Sequence, residues 1–370
     1  MAATATSVEA RVERIAVSAF TIPTDFPESD GTLEWDATTL VLVEVDAGGE
    51  TGLGYTYAPV AAGSVIEDLL APVVEGLDAL DTTRAWLAMG AVLRNAGRPG
   101  IAFTALSAVD IALWDVKAKL AGLPLARLLG AARETVPIYG SGGFTSYSLG
   151  RLREQLAGWL AEGIGRVKIK VGRKPTDDPA RLDAAREAIG DETELYVDAN
   201  GAFGGKQALL CAEHYARNWG VSWFEEPVSS DDLEGLRLLR DRGPAGMDIA
   251  AGEYAYVPAD FRNLLAAGAV DCLQADATRC GGITGFLLAG ALCESHGLDL
   301  SAHTAAAIHA HAACAAPRLR HVEWFHDHVR VERMLFDGAL EPEAGMLRPN
   351  RSRPGLGLEL RRADAQRYAV

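Results

Sequence analysis

Charged side chains recur at nearly constant intervals along the middle of the chain, each at the end of a short apolar run. The runs VKIK, LYVD, SWFE, IAAGE, CLQAD and LSAH end at Lys170, Asp198, Glu225, Glu253, Asp276 and His303. Successive ends lie 28, 27, 28, 23 and 27 residues apart. A unit of one parallel strand and one helix needs about that much chain. We therefore expect these six side chains at the carboxyl ends of neighbouring strands, on one rim of a barrel.

Three consecutive strand ends carry a carboxylate, namely Asp198, Glu225 and Glu253. A single acid in such a position is more often a helix cap or a surface ion pair, but three in phase with the repeat indicate a metal site. Oxygen ligands without cysteine or histidine favour Mg²⁺ or Mn²⁺ over Zn²⁺. Because side chains alternate along a strand, we expect Glu225 to face the metal and its neighbour Glu226 to lie behind it.

Two lysines, Lys168 and Lys170, lie two residues apart on one predicted strand and so point to the same face, which the flanking apolar residues identify as the barrel interior. Two buried ammonium groups lower each other's pKa, and one of them is expected to act as a neutral base near pH 7. The alternative is a surface strand that carries paired lysines.

Asp276 precedes His303 by one repeat, so the two are expected on neighbouring strands, where the carboxylate accepts a hydrogen bond from the imidazole. An isolated histidine is more often a core residue, but the neighbouring acid favours a catalytic role. A metal between a lysine and a histidine can stabilise the enediolate formed when the proton next to a carboxylate is removed. Two bases on opposite faces permit either inversion of that carbon or loss of a β-hydroxyl.

The elements that must position these residues follow in chain order. Residues 9–58 alternate as strands, with a hairpin around Gly48 and Gly49. The segment TIPTDFPESDGTLEWDA (residues 21–37) lies between two of these strands and is expected to be a long loop that acts as a lid, with a disordered surface segment as the alternative. Helical periodicity covers residues 64–130, and one helix is expected to end at Gly122. Strands and helices then alternate from 136 to 335, as in a (β/α) barrel.

Composition excludes several classes of function. The 370 residues carry a formal net charge of −15, which argues against nucleic acid or an anionic membrane surface as a partner. No apolar run reaches the length of a membrane span, and the first residues lack the apolar core of a signal peptide. The five cysteines have no CxxC spacing, so we expect free thiols and a cytoplasmic protein.

The motifs VKIKVGR, YVDANGAF, WFEEPV, AAGEY, LQADATRCGGITGF, LSAHT and HVEWF occur in this order and span most of the chain. In this the chain resembles the enolase superfamily, specifically the mandelate racemase subgroup (the mandelate racemase/muconate lactonizing enzyme family). The resemblance implies an α/β fold, a modified TIM (β/α)7β barrel with an N-terminal α+β capping domain. The implied domains are 1–133 for the cap, 134–335 for the barrel and 336–370 for a segment that packs back on the cap.

The resemblance also implies a role for each matching residue. Lys170 would be one base, tuned by Lys168, and Asp276 with His303 would be the other base or the acid. Asp198, Glu225 and Glu253 would bind Mg²⁺. Glu323 would be the carboxylic acid that hydrogen-bonds the substrate carboxylate. The residues expected to contact substrate are Ser141 and Asn200 in the barrel, Trp35 in the loop at 21–36, and Tyr55 with Tyr57 in the second capping segment.

The predicted function is an acid-sugar dehydratase that gives a 2-keto-3-deoxy product, and the alternative is a racemase or epimerase of a 2-hydroxy acid. The acidic capping loop, together with His326 and His328, favours a polyhydroxylated small carboxylate as substrate. A zinc hydrolase that uses His309-x-His311 and His326-x-His328 is disfavoured, because histidines two apart on a helix face different sides. A non-catalytic binding protein is equally disfavoured, since the bases and acids are all present. The family usually forms homo-oligomers, either dimers or octamers.

Overall fold

The computed structural model describes residues 10–370, and their amino-terminal part begins with an antiparallel sheet. Its strands, in spatial order, are β1 (Val12–Ser29), β2 (Glu34–Ala47) and β3 (Glu50–Tyr57). Ala47 pairs with Glu50, which confirms the predicted hairpin. Gly48 and Gly49 form its turn with φ of +58° and +84°, a conformation that glycine adopts without steric cost.

The segment predicted to be a loop is instead the far end of the β1–β2 hairpin, so that prediction was wrong. Glu28 pairs with Trp35 and Ser29 with Glu34, beyond a register shift between Pro23 and Glu28. The bulge interrupts the alternation of apolar residues while backbone pairing resumes after it. The sequence pattern therefore disappears at a point where the strand itself continues.

Short and long helices follow β3. They are α1 (Ala61–Val65), a π-helical turn (Ile66–Leu70), α2 (Ala71–Val74), α3 (Thr82–Val92), α4 (Ile101–Leu120) and α5 (Leu125–Leu128). The backbone of α4 packs directly on β3, because a Cβ at Gly54 would lie 2.2 Å from the carbonyl oxygen of Ala108. Helix α4 ends just before Gly122, as predicted, with that glycine at φ +63°.

A closed parallel barrel forms the next part of the described chain. Its strands are β4 (Val136–Gly142), β5 (Arg166–Lys170), β6 (Glu194–Asp198), β7 (Val221–Glu225), β8 (Asp248–Ala251), β9 (Cys272–Ala275), β10 (Asp299–Ala302) and β11 (Leu319–Phe325). Each strand pairs with the next, and β11 pairs with β4 to close the barrel. The predicted (β/α)7β architecture is confirmed.

Helices connect these strands and cover the barrel. They are α6 (Leu149–Ala161), α7 (Asp178–Ile189), α8 (Gly205–Trp219), α9 (Leu233–Arg242), α10 (Pro258–Ala266), α11 (Gly282–His296) and α12 (Ala306–Ala315), with α13 (His326–Leu335) after β11. Tyr139, Tyr196, Trp223, Ala250 and Cys272 form one buried cluster contributed by five barrel strands. The barrel is thus a packed core, and its chemistry is confined to the rim.

The C-terminal segment returns to the amino-terminal elements. It contains β12 (Phe336–Asp337), β13 (Met346–Leu347), β14 (Glu359–Leu360), α14 (Arg362–Ala365) and a 3₁₀ turn (Gln366–Tyr368). The backbone N–H of Leu356 donates to Asp115 at 2.6 Å, and that of Val370 donates to the carbonyl of Ala19 at 3.1 Å. These contacts join it to α4 and β1, as expected.

Two further expectations concern the whole described chain. No helix among residues 10–370 is long and apolar enough to cross a membrane. Cys211, Cys272, Cys280, Cys293 and Cys314 are all free thiols, and all but Cys211 are buried.

Candidate active site

The barrel register brings the predicted carboxylates together. Lys170 pairs with Asp198, and Asp198 pairs with Glu225, so these three final strand residues point to the same side. Glu253 follows the end of β8 by two residues. Asp198, Glu225 and Glu253 are buried, and each offers one carboxylate oxygen within 4.8 Å of the others. The spacing in the sequence therefore corresponds to three carboxylates around one point.

The charge balance of this triad fits a divalent cation. Burial and the nearby Asp198 raise the pKa of Glu225 to about 8, even though Lys168 lies 2.6 Å away. Burial, Glu253 and Asp198 raise the pKa of the adjacent Glu226 well above its usual value. Glu253 differs, because His303 outweighs burial and lowers its pKa well below the usual range. An all-oxygen donor set of this kind is the one that Mg²⁺ prefers.

The lysines point to the interior as predicted, but the expected lowering of their pKa is wrong. Burial alone would lower the pKa of Lys168, yet Glu225 and Glu323, at 2.6 and 2.8 Å, raise it well above its usual value. Lys170 behaves alike, because Asp198 at 2.5 Å outweighs burial and the repulsion from Lys168. Because each ammonium group lies beside a carboxylate, the charged form of both lysines is favoured in this structure.

The predicted pair of Asp276 and His303 is present. The Nδ1–H of His303 donates to Oδ2 of Asp276 at 2.9 Å, and Nε2 lies 2.9 Å from Oε2 of Glu253. Although burial lowers the pKa of His303, Glu253 and Glu323 raise it to about 10. Burial would raise the pKa of Asp276, but the hydrogen bond from His303 lowers it below its usual range. His303 is therefore an imidazolium held between carboxylates.

Glu323 lies at the centre of the polar contacts. One oxygen is 2.8 Å from Nζ of Lys168, and the other accepts the backbone N–H of Thr304 at 3.0 Å. Burial opposes its ionisation, but Lys168 and His303 lower its pKa to about 2. These cations favour the ionised form of Glu323, whereas the resemblance implied a carboxylic acid.

The two expected substrate contacts in the barrel lie beside these residues. Ser141 pairs with Lys168 across β4 and β5, and its buried hydroxyl has no hydrogen-bond partner among the described residues. Asn200 adopts φ 45° directly after β6, and its backbone N–H donates to Asp198 at 2.8 Å. Its side-chain oxygen likewise has no partner in the described chain, so both side chains have unused polar atoms at the rim.

The residues expected in the cap separate into two groups. Trp35 packs edge-on against Phe144, at 5.6 Å between ring centroids, and so reaches the barrel. Tyr55, in contrast, is fully buried, and its hydroxyl donates to Glu332 of α13 at 2.6 Å. Tyr57 stacks on His328 with ring centroids 3.5 Å apart. The structure places Tyr55 in the contact between β3 and α13, not on a surface that faces the carboxylates.

The four histidines of the zinc alternative do not come together in one metal site. His309 donates through Nδ1 to the carbonyl of Thr304 and accepts the N–H of Ala277 at Nε2. His311 accepts a backbone N–H through Nδ1. Within residues 10–370, the groups of acids and histidines with metal-ligand spacing are Asp198–Glu225–Glu253 and Asp25–Glu28–His326. The second group contains His326, but neither group contains His309, His311 or His328.

Sequence reasoning missed Arg279 and Glu28. The guanidinium of Arg279 lies 3.7 Å from Glu253 and 3.6 Å from Asp276, and it packs over the ring of Tyr254 at 5.2 Å. The sequence feature that could have indicated Arg279 is its position three residues after Asp276, within the motif LQADATRC. Glu28 is buried at the end of β1. No sequence pattern indicated this, because the bulge before Glu28 interrupts the alternation of apolar residues along the strand.

Comparison with known proteins places this geometry in a family. Residues 21–130 match the mandelate racemase/muconate lactonizing enzyme N-terminal domain, and residues 151–365 match the enolase C-terminal domain-like family. The L-talarate/galactarate dehydratase of Salmonella typhimurium is 34% identical over 359 residues, which cover 91% of this chain and 88% of that protein.

Solved structures agree with this. A mandelate racemase/muconate lactonizing enzyme-like protein from Rubrobacter xylanophilus is 60% identical, with a TM-score of 0.96 over 97% of this chain and 100% of that one. A racemase from Streptomyces coelicolor, solved with bound magnesium, is 32% identical, with a TM-score of 0.91 over 97% of this chain and 100% of that one. The chain therefore belongs to the mandelate racemase/muconate lactonizing enzyme family of the enolase superfamily.

Proposed function

We propose that the protein is a Mg²⁺-dependent dehydratase of a sugar acid, which removes the proton next to the carboxylate and then expels the β-hydroxyl. The observation that carries this proposal is the position of the acid triad between two cationic side chains. Lys170 contacts Asp198 at 2.5 Å, while His303 contacts Glu253 at 2.9 Å. A substrate held at the triad would meet one proton-transfer group from each side. The similarity of the chain to L-talarate/galactarate dehydratase supports the same class of reaction.

Asp198, Glu225 and Glu253 would hold the metal. When bound there, Mg²⁺ supplies positive charge that stabilises the charge developing on the substrate carboxylate and lowers the pKa of the neighbouring Lys170 ammonium. Lys170 takes the α-proton, and Lys168 stays charged because it lies 2.8 Å from Glu323. Two lysines on one strand thus have separate roles, one as the base and one as a fixed positive charge.

His303 acts as the acid in this proposal. Although burial opposes it, the hydrogen bond to Asp276 and the nearby Glu323 favour the protonated imidazole. It can therefore protonate the departing β-hydroxyl, which water elimination requires. The carboxylate of Asp276 fixes the orientation of the ring, and Thr278 fixes that carboxylate through two hydrogen bonds of 2.7 Å.

The remaining predictions complete the proposal. Glu323, Ser141, Asn200 and Trp35 are proposed to contact the substrate, a small polyhydroxylated carboxylate. Residues 1–133, of which the structure describes 10–133, are proposed to act as the cap, 134–335 as the catalytic barrel, and 336–370 as the segment that completes the cap. Assembly into a dimer or octamer stays a prediction.

The test is incubation with Mg²⁺ and a panel of sugar acids in D₂O, followed by proton NMR. We expect a 2-keto-3-deoxy product from the wild type, and neither product nor exchange at C2 when both Lys170→Ala and His303→Asn are combined. The second candidate, a racemase or epimerase, is favoured by the same placement of Lys170 and His303 on two sides of the triad. Deuterium at C2 without loss of the β-hydroxyl would identify it, and exchange that persists in the double variant would refute both assignments.

A further inference from the structure

The end of the β1–β2 hairpin lies directly on the strand ends that carry the candidate catalytic residues. A Cβ added at Gly31 would lie 2.1 Å from the carbonyl oxygen of Ala199 and 2.9 Å from that of Val171. These two residues immediately follow Asp198 and Lys170 in the chain. The hairpin therefore forms the roof of the site, and whatever holds the hairpin in place also holds that roof.

The β-bulge in this hairpin brings a carboxylate against the barrel. The pairing of β1 with β2 shifts between Pro23 and Glu28, where β1 has four residues, 24–27, opposite a single residue of β2. The side chain of Asp25, within the bulge, reaches His326, the first residue of α13. The Nε2 atom of this histidine lies 3.1 Å from both carboxylate oxygens of Asp25. A bulge commonly re-aims a side chain in this way near a functional site.

Glu28, at the other end of the bulge, adds a third group. Asp25, Glu28 and His326 each offer one ligand atom, and these atoms lie within 4.8 Å of one another. The side chain of Glu28 is 0% exposed, whereas those of Asp25 and His326 are 31% and 20% exposed. The cluster is therefore closed on the side of Glu28 and open to solvent on the side of the other two residues, so that a small ion can enter it.

One oxygen of Glu28 lacks a partner in either protonation state. Oε2 accepts the indole N–H of Trp35 at 2.9 Å, but Oε1 has no hydrogen-bond partner among the described residues. Burial and Asp327 raise the pKa of Glu28 to about 9, so the neutral acid is favoured when no cation is near. A proton on Oε1 would then lack an acceptor, just as the ionised oxygen lacks a donor. Either arrangement is costly in a buried place, and a cation in the cluster removes the cost.

The nearby arginines do not supply that cation. Arg330 acts on the charge of Glu28, but it donates to Asp327 in two hydrogen bonds of 3.0 and 2.5 Å. Arg151 lies 3.2 Å from Oδ2 of Asp25 and leaves Oδ1 facing the imidazole. A metal at Oδ1 would keep Arg151 as an outer partner that orients the carboxylate.

The donor atoms of this cluster suit a transition-metal ion. One imidazole nitrogen and two carboxylate oxygens are ligands that Zn²⁺ accepts, with a water molecule in the fourth position. Ligand atoms bound to a tetrahedral Zn²⁺ lie about 3.3 Å from one another. The 3.1 Å between His326 and Asp25 is close to this separation. The all-oxygen triad of Asp198, Glu225 and Glu253 has no such nitrogen, so the two groups differ in the metal that they prefer.

We propose that Asp25, Glu28 and His326 form a second metal site, which takes Zn²⁺ and fixes the bulge of the β1–β2 hairpin to the start of α13. The site is separate from the acid triad and does not depend on which reaction the triad supports. Because the hairpin covers the strand ends that carry Asp198 and Lys170, a metal bound here steadies the roof of the active site. It acts on the active site through the hairpin.

The first experiment counts bound zinc by mass spectrometry after dialysis against Zn²⁺ at a concentration that saturates the wild type. The triad can also take Zn²⁺, so the readout is the difference between variants. We expect two equivalents in the wild type and one in each of His326→Gln, Glu28→Gln and Glu225→Gln. The double variant of His326→Gln with Glu225→Gln should bind none. The control is His296→Gln at the exposed end of α11, which should keep both equivalents.

The second experiment tests whether the bound metal holds the hairpin. With Zn²⁺ at a hundred times its dissociation constant, amide hydrogen exchange that requires the site to open should slow about a hundredfold. We expect this in residues 24–34 of the wild type and of His296→Gln, but not in His326→Gln.

Three results would overturn the proposal. A wild type that binds one equivalent, which Glu225→Gln loses, would mean that His326 and Asp25 form an ion pair without a metal. Two equivalents retained in both His326→Gln and Glu28→Gln would place the second ion elsewhere. Zinc bound at this cluster without slower exchange in the hairpin would refute its role in holding the roof. Should Glu28→Gln fail to fold, His326→Gln still tests the site, because its side chain is partly exposed.

Discussion

The Nδ1 atom of His303 lies 2.9 Å from Oδ2 of Asp276, although the two residues are 27 positions apart in the chain. They follow neighbouring strands whose final residues, Ala302 and Ala275, are paired in the sheet. The backbone and hydroxyl of Thr278 hold the other oxygen of Asp276. The imidazole is consequently fixed with Nε2 directed toward Glu253, which is the arrangement that an acid at a metal site requires.

Replacing Asp276 with asparagine should reduce kcat by roughly 10³-fold, since an amide can hold the ring but does not stabilise the imidazolium. The pH profile of kcat should also change, because His303 then loses its proton at lower pH. Steady-state kinetics from pH 6 to 10 measure both effects. Unchanged Mg²⁺ affinity in calorimetry would show that the triad is intact, whereas wild-type activity in the variant would refute the role of the pair.

Neighbouring glutamates provide a matched test of the metal site. Glu225→Gln removes a charge from the triad and should weaken Mg²⁺ binding more than about a hundredfold, since it leaves the ion short of one anionic ligand. Glu226→Gln should weaken it by about tenfold, as expected for a group behind the ligands. Isothermal titration with Mg²⁺ distinguishes them, and equal losses in the two variants would contradict the prediction that only Glu225 faces the ion.

The sequence was sufficient to predict the barrel and the acids on its rim because both follow from one period. Each strand and helix consumes a similar length of chain, so residues spaced by that length reach the same rim. Asp198, Glu225 and Glu253 are therefore close in space for the same reason that they are regular in sequence. The pairing of Asp276 with His303 follows from the same regularity.

Properties that depend on neighbours across the barrel were not predictable in this way. The high pKa of Lys168 results from Glu225 and Glu323, which come from β7 and β11. The hairpin around Glu28 was hidden because a bulge breaks the alternation of apolar residues while pairing continues. Tyr55 was expected to contact the substrate, but its hydroxyl instead donates to Glu332, a residue 277 positions later in the chain.

Gly31→Ala should disturb the roof of the site. No methyl group fits 2.1 Å from the carbonyl oxygen of Ala199, so the hairpin must move away from β6. We expect a loss of about 1–3 kcal/mol in the free energy of unfolding and about a tenfold fall in kcat/KM. Gly90→Ala in α3 is the control, because its Cβ would meet no atom within 4 Å. Equal stability and activity of the two variants would show that the hairpin does not dock as described.

Glu332 should make the contact between cap and barrel sensitive to pH. Burial raises its pKa from 4.5 to about 7, against the hydrogen bonds from Tyr55 and Ala307. Between these pH values the folded protein holds a proton that the unfolded chain has released, so the stabilisation is complete below pH 4.5 and is lost as the pH rises through 7. Glu332→Gln keeps the neutral form at every pH. Relative to that variant, the wild type should lose about 2 kcal/mol between pH 5.5 and 8 in urea unfolding. The exposed Glu67→Gln serves as control, and a wild type that runs parallel to Glu332→Gln across this range would mean that Glu332 does not titrate there.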